Sequence, residues 1–411
     1  MLIGGSFVGQ LLLFLTLPLI SRLYTPEQFG IVQAALSFLT LQLIIGTFRL
    51  EIAVLTVDEG CLDDLFRCAW WVTALSGCFI FVVYAVVATF SSFQISKESS
   101  VLILIPILGV IAGWNQLATY YGLRKLAFRN NASAKILQPI GYSAAATGAG
   151  AIQPSVVGLL ISDGVGRICS LAYLIKVLNI NLQRLSAPSM TLLKNTIRSH
   201  RELVGIGLLA SLVSAAGSGF TAVIMLWLFG AYEAGQFAMA ERLIGAPLAL
   251  FTSAISQVFI AQLSKAISTS DYKLARMYYR KILIFQFITS LPIYVGLFFL
   301  VPAVTEFFLG GEWQSLDSYI RALSIFYICS YITNPLNMLL TVLGRQRTQL
   351  LWDSLRLLLA LITWGGIWLM NFEPIQALWT YSLASIIWYG CFIFIANRAV
   401  RDLGCIAKGT S

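Results

Sequence analysis

The chain has 411 residues, 58% of them hydrophobic and only 11% charged, against about 25% charged in a soluble globular protein. That balance excludes a soluble enzyme or binding domain and describes an all-α polytopic membrane protein, with room for about a dozen spans of ~20 apolar residues. The net charge of +9 does not point to nucleic acid, because basic cytoplasmic loops give a membrane protein the same excess.

The first apolar run, Leu2 to Ile20, has no basic leader and no small-x-small cleavage site, and Arg22 and Pro26 follow it. It reads as a spanning helix, not a signal peptide. Apolar runs and their breaks predict twelve spans, at roughly 2–22, 28–57, 66–91, 100–122, 133–152, 154–178, 203–228, 235–262, 282–309, 317–343, 349–370 and 374–396. Pro18, Pro106, Pro139, Pro247, Pro292 and Pro335 fall inside spans, where kinks are expected. The seven cysteines are scattered with no C-x-x-C, and His200 is the one histidine. They read as small apolar fillers, with no zinc or haem site.

Loop charge sets the orientation. The loops after even-numbered spans, with the C-terminal tail, hold 21 of the 27 basic residues; the opposite loops hold Arg22, Lys97 and Arg321. By the positive-inside rule both termini are cytoplasmic. The longest polar link, 179–202, is basic and partly amphipathic. It divides the chain into an N-terminal six-helix lobe (1–178), a cytoplasmic linker (179–202), a C-terminal six-helix lobe (203–396) and a cytoplasmic tail (397–411).

The halves resemble each other. Leu23-Tyr-Thr-Pro-Glu-Gln-Phe-Gly30 aligns with Leu228-Phe-Gly-Ala-Tyr-Glu-Ala-Gly235, each ending an odd span and opening an even one. Asn115-x-Leu117-x-Thr119-x-x-Gly122 aligns with Asn337-x-Leu339-x-Thr341-x-x-Gly344, and Gln153-Pro154 with Glu373-Pro374. Three matches in order, between halves of equal and even span count, imply a parallel repeat about an axis along the membrane normal. Gly30 and Gly235 are then equivalent elbow glycines that let the next helix approach closely. Asn115 and Asn337 are equivalent polar residues suited to interhelical hydrogen bonds.

With these residues in view, the chain resembles the Wzx-type polysaccharide flippases (O-antigen flippases) of the MOP superfamily. SRLYTPEQFG followed by TFRLEIAVL is similar to their first elbow and second helix, and FGAYEAGQFAMAERLIGAPLALFTSAISQVFIAQLS to the start of their second half. The resemblance covers nearly the whole chain. It implies a MOP/MATE-like fold of two six-helix lobes in a bacterial inner membrane. The implied cargo is an undecaprenyl-pyrophosphate-linked oligosaccharide, carried by alternating access. Polysaccharide polymerase and chain-length regulator would be partners.

Charges inside spans are costly, about 2.5–3.5 kcal/mol each on insertion scales. Six stand out: Arg49 and Glu51 in span two, Asp163 and Arg167 in span six, Glu241 and Arg242 in span eight. Asp163 and Arg167 share a helix face and could pair. Arg49, Arg167 and Arg242 are candidate substrate contacts, because a guanidinium donates fork-shaped hydrogen bonds to phosphate; helix packing by internal ion pairs is the competing role. For Glu51, Asp163 and Glu241 the balance favours internal pairing, with titration in a coupled cycle as the functional alternative. No cofactor is expected beyond a coupling ion, H⁺ or Na⁺. No nucleophile–base set, metal cluster or phosphate-cradling G-x-x-x-x-G-K-[ST] loop is present, so neither an enzyme nor an ATP-driven pump is expected. The nearest rival is a MATE-type ion-coupled multidrug exporter, which shares the twelve-span plan. A cation exporter would want carboxylates outnumbering arginines, and here three face three.

Overall fold

A computed structural model describes residues 2–90, 99–181, 185–201, 203–269, 271–300, 305, 309–337, 339–343 and 345–406. Lys97, Arg184, Gly344, Lys408 and the tail from 407 lie outside the described residues. All regular elements among them are helices. In the first part of the chain these are α1 (Leu2–Leu23), α2 (Pro26–Thr47), α3 (Leu50–Thr56), α4 (Glu59–Phe90), α5 (Ser99–Arg124), α6 (Phe128–Ile152), α7 (Val156–Val177), α8 (Met190–Ser199) and α9 (Leu208–Phe229). There follow α10 (Ala231–Ser268), α11 (Tyr272–Val295), α12 (Leu316–Thr333), the one-turn α13 (Leu339–Val342), α14 (Gln346–Leu369) and α15 (Pro374–Ile406).

Nine helices among the described residues are long and apolar enough to cross a membrane, or ten if the bent pair Leu203–Gly217 and Gly219–Phe229 is one span. This is a multi-pass membrane protein. α6 and α12 are also long but fall outside that set. α6 carries Arg129, Asn130, Asn131 and Lys135 in its first two turns, and α12 has only 18 residues, among them Asp317 and Arg321.

The chain forms two compact units, Met1–Leu226 and Trp227–Ser411. In the first, α6 packs between α1 and α7, α7 also lies on α5, and α5 supports α2, α3 and α4. The crossings are close because glycines face backbone: a Cβ on Gly9 would stand 2.5 Å from the Lys135 carbonyl oxygen, and one on Gly166 2.5 Å from that of Gln138. Small residues at such crossings are the usual device of membrane helices, where packing replaces the hydrophobic drive. In the second unit α12 packs against α15, α10 and α11, and α14 lies on α15.

The first elbow is fastened by its own residues. Pro26 opens α2, and Thr25 and Gln28 form a capping box. Gln28 also donates to the Pro154 carbonyl at 3.1 Å. Tyr24 is buried, and its hydroxyl donates to the Ala146 carbonyl at 2.8 Å. In the second half α10 opens after Gly230, whose φ of +87° suits glycine. The starts of α2 and α10 are 205 residues apart, which is the spacing of the two elbow motifs, and Gly30 and Gly235 are each the fifth residue of their helix and buried.

The predicted second span, 28–57, is not one helix. It breaks at Phe48 and Arg49, both left-handed with φ of 49° and 61°, and resumes as α3. Left-handed non-glycine residues persist only where the surroundings over-determine them, at about 1–3 kcal/mol each. Here Ser76 Oγ donates to the Gly46 carbonyl at 3.0 Å. Arg124 donates to the carbonyls of Leu55 and Val57 at 3.0 and 2.8 Å, tying α3 to α5. The predicted tenth span, 317–343, also breaks, at Asn334–Leu336, where Pro335 cannot continue the ladder.

Candidate functional site

In the first unit, the α2–α3 break turns Arg49 toward Glu51, with Nη1 3.4 Å from Oε1. Gln42, Gly46 and Arg49 therefore do not line one continuous helical face. Gln42 turns inward, donating to the Pro106 carbonyl at 3.0 Å. Glu51 is fully buried. Its Oε1 also accepts from Gln116 Nε2 at 3.2 Å, and its Oε2 has no partner. Tyr120, one turn beyond Gln116 on α5, feels both Arg49 and Glu51. Among the described residues the Arg49 guanidinium has this one long ion pair, and it is partly exposed. Most of its five donors remain available to a ligand.

Asp163 and Arg167 do pair on α7, with Nε 2.6 Å from Oδ2 and both side chains mostly buried. The bond engages Nε and leaves the two terminal nitrogens to other acceptors.

In the second unit, Glu241 and Arg242 are half-buried on α10. The Tyr327 hydroxyl of α12 hydrogen-bonds Glu241, and its ring rests on Gly245, one turn on, at 3.1 Å from where a Cβ would stand. The Tyr327 neighbourhood is dense in aromatic rings: Phe326 lies against Tyr327, Tyr381 and Tyr389, and Tyr381 contacts Trp364 and Trp388. Tyr389 reaches Ser330 and Arg356, and Arg356 lies 3.9 Å from Asp353. The indole nitrogens of Trp364 and Trp388 are buried without partners.

Asn115 and Asn337 sit differently. Asn115 is buried within α5 with its Oδ1 unpartnered, whereas Asn337 is exposed beside the α12 break and donates to Asn334 at 3.0 Å. Sequence reasoning singled out Tyr120 and Tyr389 as aromatic residues able to stack on sugars, but missed Gln116 beside Glu51, the Arg124 clamp on α3, and Tyr327, Asp353 and Arg356 on the Glu241 side. A count of every polar residue inside an apolar run would have flagged most of them.

Each of the two helical units thus carries an arginine and a carboxylate within a long apolar helix, Asp163 and Arg167 on α7 and Glu241 and Arg242 on α10. The chain superposes on a multidrug-resistance MATE transporter of the MOP superfamily in an inward-facing conformation, with TM-score 0.75 and 14% identity, covering 96% of this chain and 95% of that one. It is equally similar to the lipid II flippase MurJ in an inward closed conformation, with TM-score 0.75 and 13% identity over 97% and 88% of the two chains. A MOP-superfamily transporter from Pyrococcus furiosus matches with TM-score 0.65 and 13% identity over 98% and 95%. These likenesses establish the MOP transporter fold. No curated protein matches the sequence significantly. Residues 19–317 match the model of the polysaccharide biosynthesis protein family, and the chain belongs to that family.

Proposed function

We propose that the protein is a flippase for undecaprenyl-pyrophosphate-linked oligosaccharide repeat units of an O-antigen, capsule or exopolysaccharide, moving them from the cytoplasmic to the periplasmic leaflet of a bacterial inner membrane. The observation that carries this reading is membership of a polysaccharide biosynthesis family on a MOP transporter fold. Such a head group cannot cross hydrocarbon unaided, since each unsatisfied polar group there costs several kcal/mol. Arg49, Arg167 and Arg242 would replace part of its hydration through bidentate contacts. The polyprenyl tail needs no shelter and stays in lipid. Two six-helix lobes rocking about the cargo would expose it to each side in turn, with Glu51, Asp163 or Glu241 taking up a coupling ion, H⁺ or Na⁺. Both termini are cytoplasmic on this reading, and polymerase and chain-length regulator act on the delivered cargo.

A deletion strain tests it. Loss of surface polysaccharide, with lipid-linked repeat units accumulating on the cytoplasmic side and restored by the wild-type gene, is the expected result. Normal polysaccharide together with new sensitivity to cationic dyes would replace this reading with the multidrug exporter.

A further inference from the structure

We infer that the cleft between α10 and α11 is a binding site for one acyl chain of an anionic glycerophospholipid, with its phosphate at Lys281. The cleft encloses about 600 Å³. α10 lines it with Ile255, Val258, Phe259 and Gln262, at i, i+3, i+4 and i+7; α11 answers with Tyr278, Lys281 and Phe285 at the same helical spacing. The helices run antiparallel from the turn that joins them, so Gln262 and Tyr278 fall at the turn end, Lys281 falls level with Phe259 about one helical turn further in, and Ile255 and Phe285 fall at the far end. The cleft is therefore polar at one end and apolar at the other, as an amphiphile is. From Gln262 to Ile255 it runs about 10 Å, at ~1.5 Å per residue, or some two thirds of a ~15 Å leaflet.

Charge selects the head group. Lys265, Lys273, Arg276, Arg280 and Lys281 surround the turn, and Asp271 is the one acid between Glu241 and Glu306. The Asp271 carboxylate is engaged as the cap of α11, accepting from the Leu274 amide at 2.9 Å. Lys281 is exposed and joins no ion pair among the described residues. α11 has the least buried surface of the nine apolar helices, and Val258 and Phe285 are more than half and half exposed, at 58% and 50%. Lysine presents a point charge that suits a single phosphate, whereas a pyrophosphate would favour the guanidinium fork. That distinction assigns the cleft to a membrane phospholipid and not to the cargo lipid, so the site does not depend on the cargo reading.

Native mass spectrometry of the full-length protein released from detergent, with dioleoyl-phosphatidylglycerol and dioleoyl-phosphatidylcholine at equal concentration, tests this. The wild type should retain phosphatidylglycerol preferentially. Lys281→Gln should cut that preference about fivefold, as expected for one basic residue at a lipid surface. Val258→Trp, which fills the cleft from an exposed position, should reduce retention of both lipids while the protein still melts like the wild type. Unchanged phosphatidylglycerol retention in either variant overturns the site. Displacement of phosphatidylglycerol by an equal concentration of undecaprenyl pyrophosphate overturns the phospholipid assignment.

Discussion

Glu51 has one carboxylate oxygen shared by Arg49 and Gln116 and the other buried without a partner. A half-satisfied buried charge is expensive, and removing its cationic partner costs about 3–5 kcal/mol because the remaining charge stands uncompensated. Arg49→Ala should therefore lower unfolding stability in detergent by about that amount. Arg49→Ala combined with Glu51→Gln should recover most of it, since a neutral amide tolerates the site. Transport separates the two roles of Arg49. If the guanidinium holds cargo phosphate, the stable double variant reaches normal membrane levels yet stays inactive where Glu51→Gln alone still transports; full activity of the double variant would leave Arg49 a packing residue. The same logic applies at Arg167, whose Nε bond to Asp163 is short and mostly buried. Arg167→Lys keeps the charge but loses the fork, so flipping of the lipid-linked cargo in reconstituted vesicles should fall while Asp163→Asn/Arg167→Gln melts close to the wild type. The Asp163–Arg167 pair was legible from its i, i+4 spacing. The bonds Glu51–Gln116 and Glu241–Tyr327 were not, because they join residues 65 and 86 positions apart and no local spacing rule connects them.

At the scale of elements, apolar runs located the long helices well, since a helix is the one way to satisfy backbone groups across hydrocarbon. Their ends and breaks were harder to read. α10 runs to Ser268 although its apolar run stops near 262, because helical hydrogen bonding continues past the hydrocarbon into the basic turn. Nothing in Thr47-Phe48-Arg49 announces a break: there is no glycine or proline, and the left-handed pair is held by α4 and α5 from far along the chain. The Arg124 clamp is the part of that device open to test. Charge-assisted hydrogen bonds contribute about 1.5–3 kcal/mol each, so Arg124→Ala should release α3. Amide hydrogen exchange should speed up over 50–57 and stay unchanged over 30–44 of α2. Equal protection in both segments of the variant would show that α3 is held by its apolar contacts with α5 alone.

At the scale of the whole molecule, the internal contacts of the second unit sort its helix ends into two sets, one of which faces the cytoplasm on the proposed reading. Gln236 near the start of α10 donates to the Glu312 carbonyl at 3.2 Å, and the Glu233 carboxylate hydrogen-bonds the Tyr319 hydroxyl. These contacts put the starts of α10 and α12 at one end of the unit. Arg345 pairs with Asp402 at 2.9 Å, so the start of α14 and the end of α15 share an end too. α10, α11, α12, α14 and α15 alternate in direction, and the second end is the one that collects Lys265, Lys273, Arg276, Arg280, Lys281, Arg345, Arg347, Arg398 and Arg401. On the proposed reading this basic end faces the cytoplasm, as the loop-charge rule favours. Single cysteines at Glu312 and Lys273, both exposed, report the two ends; Trp313 would serve poorly, being 3% exposed. With an impermeant thiol reagent on intact cells, Glu312→Cys should label above the wild-type background and Lys273→Cys only after the membrane is permeabilised. The reverse pattern would invert the molecule, and with it the direction of transport. Labelling of both in intact cells would mean that the two basic-poor and basic-rich ends are not separated by the bilayer at all, which would remove the loop-charge argument together with the orientation it supports.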